Sequence, residues 1–278
     1  MRPPLIMHIN YCQKGEAVRD VCRSAVARGF DGVEFPHAPV GGVPCAPEEY
    51  LDSIAREQKA SGLRLVLFGV HVRFLFPDPA QRAAAIRETA TFLQLAAERL
   101  DVVLCNTAAS GPLLQPSATA SDDLFRIYAE GYQRLGDVAA ELGLRIAFEV
   151  HPGFPHDLPE PTMRLVELVD RPNVGVNLDY GNIVYMERAP SLEDSIRIVA
   201  GKLTYVHVKN SIGIPGGSRF QVGLPDGDIN HRAYLRLLRQ AGYAGPFGLE
   251  FPRGGDREWH ARRDIRYLKS VLSDLSRE

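Results

Sequence analysis

No stretch of the 278-residue sequence approaches the roughly 20 consecutive apolar residues that a membrane-spanning helix requires. The opening Met1-Arg2-Pro3-Pro4-Leu5 turns polar by Asn10, too soon for a secretory hydrophobic region, so a cytoplasmic location is expected. Charge of one sign is also missing: 32 basic residues against 34 acidic ones leave a formal net charge of -2. Gripping a polyanionic backbone by counterion release needs a basic excess, so nucleic acid is not an expected partner. Cysteine is sparse: Cys12, Cys22, Cys45 and Cys105 show neither CxxC spacing nor the density of a disulfide scaffold, and reduced thiols are the simplest assignment. No linker, low-complexity tract or break in composition divides the chain. What is present, 45% hydrophobic and 24% charged residues, is the mixture of a globular protein with a real core.

Short runs rich in β-branched residues alternate with longer stretches of helical period from end to end. The runs predict strands over Leu5–Asn10, Asp31–Phe35, Arg64–Val70, Asp101–Asn106, Arg145–Val150, Val174–Asp179, Leu203–Val208 and Phe247–Phe251. Helices are predicted over Glu16–Arg28, Pro47–Ser61, Pro79–Leu100, Ser121–Leu142, Glu160–Asp170, Ser191–Val199, His231–Ala241 and Asp256–Leu275. Gly29, Gly62, Gly143 and Gly242 follow helices where a left-handed cap residue is wanted, and Pro47, Pro79 and Pro190 stand near helix starts. Runs such as Leu65-Val66-Leu67-Phe68 are too apolar for a sheet with one wet face and predict a parallel sheet covered by helices. Eight units of about 35 residues suit closure into a single (β/α)8 barrel spanning residues 1–278. An open doubly wound sheet is the alternative, but no GxGxxG follows the first strand.

In such a barrel, chemistry gathers where the strands end. Four late strands finish on metal-ligand residue types: Glu149, Asp179, His207 and Glu250. Taken singly, each is as well explained by a cap or an ion pair; together, ring closure would bring three carboxylates around one imidazole. Such a group is costly to bury unless it is paired, protonated or coordinated, and a divalent cation resolves the repulsion. Three carboxylates and one imidazole suit Mn²⁺, Mg²⁺, Co²⁺ or Zn²⁺ and do not select among them.

The pieces Phe148-Glu149-Val150-His151, Asn177-Leu178-Asp179-Tyr180-Gly181-Asn182, Tyr205-Val206-His207-Val208-Lys209-Asn210, Val222-Gly223-Leu224-Pro225-Asp226-Gly227-Asp228-Ile229-Asn230 and Gly248-Leu249-Glu250-Phe251 carry a resemblance. In order and spacing they resemble the xylose isomerase-like TIM barrels of sugar phosphate isomerases and epimerases, a superfamily that includes AP endonucleases of the endonuclease IV type. The resemblance implies that Glu149, Asp179, His207 and Glu250 hold one divalent metal, commonly Mn²⁺ in the ketose epimerases, and that Glu149 and Glu250 double as an acid/base pair. It does not extend to the three-zinc nuclease. Ser218-Arg219-Phe220 stands where that branch has Asp-Arg-His, Asn182 stands where it has His, and Leu104-Cys105-Asn106 ends strand four without an imidazole.

Around this core, Arg219 corresponds to a position where relatives place a substrate-contacting Arg. Lys209 shares the strand face of His207 by the period of two, which suits a substrate hydrogen bond and an ion pair to Glu250 or Asp179 equally. His71, His151 and Glu34 end strands or follow them closely, and Asn182 replaces a histidine that touches substrate in many epimerases. All are candidate substrate contacts. The glycine-rich segment from Gly213 to Gly227 lacks the order of a phosphate loop and predicts a mobile rim loop instead. Trp259 and Tyr267, in the last helical stretch, are expected to pack on a neighbour rather than bind ligand, and the charges from Arg257 to Arg266 to form a solvated face.

The expected activity is metal-dependent isomerisation or 3-epimerisation of a small polyhydroxy carbonyl compound through an enediolate. A dehydratase of the inosose or dehydroshikimate type on the same site is the nearest alternative, and a non-catalytic metal-sugar binding subunit the next. The expected partner is a small carbohydrate, with self-association left open.

Overall fold

A computed structural model describes residues 2–12, 14–41, 45–214, 217–252 and 254–278. The first seven strands are β1 (Leu5–Met7), β2 (Gly32–Pro36), β3 (Leu65–Val72), β4 (Val102–Ala109), β5 (Arg145–Glu149), β6 (Val174–Asp179) and β7 (Leu203–Val208). After β7 comes an antiparallel hairpin, β8 (Asn210–Gly213) and β9 (Arg219–Val222), and then β10 (Phe247–Leu249). β1 to β7 pair in parallel in chain order, and β10 closes the ring between β7 and β1. Helices α1 (Val18–Arg28), α2 (Pro47–Ser61), α3 (Pro79–Arg99), α4 (Asp122–Glu141), α5 (Pro159–Val169), α6 (Tyr180–Ile183), α7 (Leu192–Val199), α8 (His231–Gln240) and α9 (Arg257–Leu275) interleave with the strands. The architecture is a (β/α)8 TIM barrel, as the alternation predicts.

Local chemistry sets the boundaries. Ser121 Oγ accepts from the Leu124 N–H at 3.2 Å, and Asn230 Oδ1 from the Ala233 N–H at 3.1 Å, which starts α4 and α8. Pro47 and Pro79 occupy the first turns of α2 and α3, where a missing N–H is harmless. α1 and α2 end on Gly29 and Gly62 at φ of 80° and 75°, a conformation that a side chain resists. β1 stops at Met7, short of the expected Asn10, because the chain turns into a 3-10 segment over Ile9–Cys12.

The period of two along each strand divides the apolar residues into two layers. Outward residues such as Phe68, Phe148 and Val206 join the helices in the main core, where Phe92, Tyr128, Tyr132 and Leu268 are buried. Inward residues Ile6, Leu67, Leu104, Ala147 and Tyr205 form a separate plug inside the barrel. Fully burying a Leu or Ile side chain contributes roughly 1.5–3 kcal/mol, so the plug makes a firm dry floor beneath the mouth. The four cysteines are free, and burial pushes the Cys22 and Cys105 thiols up to about 12. No helix among the described residues is long and apolar enough to cross a membrane.

The segment expected as a rim loop is more ordered than its composition suggests. It forms the β8–β9 hairpin and a 3-10 turn over Leu224–Asp226; Pro215 and Gly216 at the hairpin tip lie outside the described residues. Buried Asn210 latches it to the barrel: its Nδ2 donates to the Leu224 and Ile229 carbonyls at 2.7 and 3.0 Å. Its Oδ1 accepts from the N–H groups of Ser211 and Ile229 at 2.9 and 3.0 Å.

Candidate metal centre

β5 and β6 end on Glu149 and Asp179, β7 carries His207, and Glu250 follows the last residue of β10. Strand register places Asp179 beside His207 and His207 beside Gly248. A Cβ at position 248 would lie 2.4 Å from Tyr205 Oη and 2.7 Å from His207 Cδ2, so a glycine there leaves the imidazole its room.

His207 Nδ1 lies 3.6 Å from Glu149 Oε1 and 3.8 Å from Asp179 Oδ2. Ligand atoms of Glu149, Asp179 and His207 all fall within 4.8 Å of one another. Glu250 joins this group through a shared cation: Lys209 Nζ stands 3.0 Å from Asp179 Oδ2 and donates to Glu250 Oε2 at 2.9 Å. The four residues marked by the strand ends thus meet at one mouth, with Lys209 among them.

Burial opposes charge throughout, and the neighbours decide the outcome. Burial alone would raise Glu149, but the positive charge of the neighbouring His207 holds it well below the ordinary range. Burial would likewise raise Glu250, yet the Lys209 ammonium brings it to about 2. Asp179 is raised by burial and by the charges of Glu250 and Glu149, against the pull of Lys209. Burial disfavours the His207 and Lys209 cations, but the carboxylates around them raise both.

A second set of residues lies beneath and beside these. Glu34 on β2, fully buried, accepts from Tyr205 Oη at 3.0 Å and faces His207 Nε2 at 3.1 Å through one oxygen. Its other oxygen accepts from Asn106 Nδ2 at 3.2 Å. The same Asn106 nitrogen donates to Glu149 Oε2 at 3.0 Å, and Asn106 Oδ1 accepts from Asn177 Nδ2 at 3.0 Å. Asn182 Nδ2 donates to Glu149 Oε1 and to the Val150 carbonyl, both at 3.1 Å, while its N–H caps Asp179 Oδ1 at 3.1 Å. His8 Nδ1 accepts from the Asn10 N–H at 3.0 Å, and its Nε2 lies 3.9 Å from Glu250 Oε2.

Sequence reasoning missed His8, Asn106, Asn177 and Tyr205. Strand parity could have found them: His8 follows inward Ile6 by two, Asn106 follows inward Leu104 by two, and Tyr205 precedes His207 by two. The remaining candidates lie farther out. Arg219 is on β9, donating to Ser211 Oγ at 2.9 Å and to Asp228 Oδ2 at 2.8 Å. His71 is exposed and lines a cavity of about 610 Å³ with His37 and Arg73. His151 is half-buried, with Nδ1 2.8 Å from the Pro152 carbonyl and its ring against Phe154.

The donor set fits a divalent cation. Among the described residues His207 Nδ1 is buried without a hydrogen-bond partner, Asp179 Oδ2 is buried with an ion pair to Lys209 but no hydrogen bond, and both atoms belong to the converging group. Buried polar atoms are rarely left so, and mixed carboxylate and imidazole donors are those of divalent metals.

Residues 22–271 match the family described as xylose isomerase-like TIM barrel. An inosose dehydratase from Geobacillus thermodenitrificans is 28% identical over 156 residues, covering 50% of this chain and 51% of that protein, so the match spans about half the length of that curated relative. Among solved structures, a xylose isomerase-like TIM barrel protein from Mycobacterium smegmatis in complex with magnesium superposes with a TM-score of 0.78 at 19% identity, covering 99% of this chain and 98% of that one. An L-ribulose 3-epimerase gives a TM-score of 0.78 at 16% identity over 99% of this chain and 96% of that one. D-allulose 3-epimerase from Methylomonas sp., solved with D-allulose, gives 0.75 at 18% identity over 97% of each chain. At these identities the structures share a fold with this protein.

Proposed function

The chain belongs to the xylose isomerase-like TIM barrel family, and from that premise we propose that it is a divalent-metal-dependent isomerase or 3-epimerase of a small polyhydroxy ketone or aldehyde. The observation that carries the proposal is the convergence of Glu149, Asp179 and His207, with the buried His207 Nδ1 lacking a hydrogen-bond partner among the described residues, beside Glu250. Glu149, Asp179, His207 and Glu250 would hold the ion, with Mn²⁺ the first candidate. When bound, it supplies Lewis-acid polarisation of a carbonyl and an adjacent hydroxyl, which acidifies the C–H of the substrate.

The protein then has to move one proton. Glu149 and Glu250 sit three strands apart round the ring, on β5 and just past β10, so they address a substrate between them from different sides. One carboxylate takes the proton and the other returns a proton to the opposite face, which yields an epimer; return to the neighbouring carbon yields the aldose–ketose isomer. Both glutamates favour the ionised form, the state a base requires, so the one that returns a proton has first to take one up from solvent. Asn106 and Asn182 fix the two oxygens of Glu149, and Lys209 fixes one of Glu250. Lys209, His151, His71 and Arg219 are the candidates for contacts to substrate hydroxyls. Asn182, its Nδ2 engaged by Glu149 and Val150, serves the carboxylates instead.

A second reading, loss of a β-hydroxyl as water, is favoured by the dehydratase relative and by the Lys209 cation beside Glu250. Solvent exchange separates the two. With Mn²⁺ and a panel of ketoses and cyclic ketones in D₂O, the first reading requires deuterium at the α-carbon of one of them. A lyase adds an enone absorbance, and neither signal in metal-replete protein would sink both readings. Glu250→Gln should lower turnover by about 10²–10⁴-fold; near-normal activity would remove Glu250 from proton transfer.

A further inference from the structure

We propose that Glu34 is the positioning residue of His207, holding its Nε2–H so that Nδ1 is aimed at the metal site. The inference rests on the metal site proposed above and adds a residue from the opposite half of the barrel to it. An imidazole has two nitrogens, and the partner of one decides what the other can do. Here Nε2 faces a Glu34 oxygen at 3.1 Å, while Nδ1 has no hydrogen-bond partner and is turned toward Glu149 and Asp179.

Glu34 is built to hold that direction. It is fully buried, and each of its oxygens already faces a neighbouring side chain. The Tyr205 hydroxyl donates to the same oxygen that faces His207, and Asn106 donates to the other, so both carboxylate oxygens are pinned. Two glycines leave the space. A Cβ at Gly69 would meet Glu34 Oε1 at 3.0 Å and Ile9 Cδ1 at 2.5 Å, and Gly248 leaves room for Tyr205 and His207. Carboxylates that accept the outer N–H of a ligating histidine orient the ring and raise its basicity.

The same side chains permit one other arrangement: His8, Glu34 and His207 also present ligand atoms within 4.8 Å of one another, as a second ion would need. The tyrosine and asparagine hydrogen bonds to Glu34 favour the positioning role, and stoichiometry distinguishes the two.

The test is calorimetric titration of the full chain with Mn²⁺ for wild type, Glu34→Gln, Glu34→Leu and Tyr205→Phe. It is paired with ¹⁵N-histidine spectra of the protein loaded with diamagnetic Zn²⁺. Wild type should bind one Mn²⁺, and the Leu variant should bind it roughly 10–100-fold more weakly. The Gln variant, which keeps an acceptor oxygen, should fall between them, and Tyr205→Phe should stay close to wild type. In the spectra, the Nε2–H signal of His207 should be sharp in wild type and retained in Gln; in Leu it should be lost or joined by the other tautomer. Should Leu prove insoluble, the Gln affinity and spectrum decide. Unchanged affinity and an unchanged Nε2–H signal in the Glu34 variants would overturn the proposal, as would two Mn²⁺ per chain. Failure of wild type to bind any Mn²⁺ would overturn the metal site itself.

Discussion

At the mouth of the barrel, Glu34 and Glu250 lie as deep as Asp264 does on α9, yet burial has opposite outcomes in the two places. Glu34 and Glu250 both favour the charged form, because imidazole or ammonium cations and amide or hydroxyl donors face them. Asp264 has one adjacent guanidinium, Arg263, whose Nε lies 3.3 Å from Oδ1, and its Oδ2 has no hydrogen-bond partner. Burial pushes its carboxyl up to about 6, and Arg263 recovers only part of the cost. Depth alone does not set ionisation; the number and aim of the donors do. The mouth is a region organised to keep charge, whereas the α9 flank tolerates a single awkward group.

Lys209→Met should give the largest departure. It leaves Asp179 and Glu250 facing each other without their shared cation, and loss of one partner of a buried pair costs about 3–5 kcal/mol. Urea unfolding without added metal measures it, and a loss under 1 kcal/mol would mean that the mouth does not depend on Lys209. Asp264→Asn should go the other way. The native carboxyl titrates near 6 against an unfolded value of 3.8, so the folded state binds the extra proton between these values and stability falls as pH rises through that window. Removing the charge should stabilise the protein by about 1–3 kcal/mol at pH 7.5. The difference should vanish near pH 4, and a gain independent of pH would contradict the assignment. Arg219→Ala should matter least for stability, within about 1 kcal/mol in the same unfolding assay, because its partner Asp228 is half exposed at 54%. A larger loss would show the hairpin arginine to be as structurally important as the buried groups.

The sequence made the ring and one half of its mouth legible. Alternating apolar runs at near-constant spacing point to a parallel barrel, and Glu149, Asp179, His207 and Glu250 stand out only as a set, because ring closure brings four ligand-type strand ends together. The other half was harder to see. Asn106 is an ordinary polar residue by composition, and Glu34 reads as a candidate rim contact until Tyr205 and His207 are placed against it. Such roles depend on contacts across the barrel, between residues 171 and 173 positions apart in the chain for Glu34, which no local pattern encodes. The hairpin was hidden for a different reason: glycine and proline suggest a loose loop, while the order comes from the side chain of Asn210.

That asparagine gives the insert the character of a cartridge. Its amide grips Ser211 at one end and Leu224 and Ile229 at the other, so the intervening stretch hangs from a fixed mount three positions beyond His207. Exchanging that stretch for one of different length or polarity would change the insert without displacing the strand ends of the barrel. The architecture thereby separates variation in the insert from maintenance of the residues where the strands end.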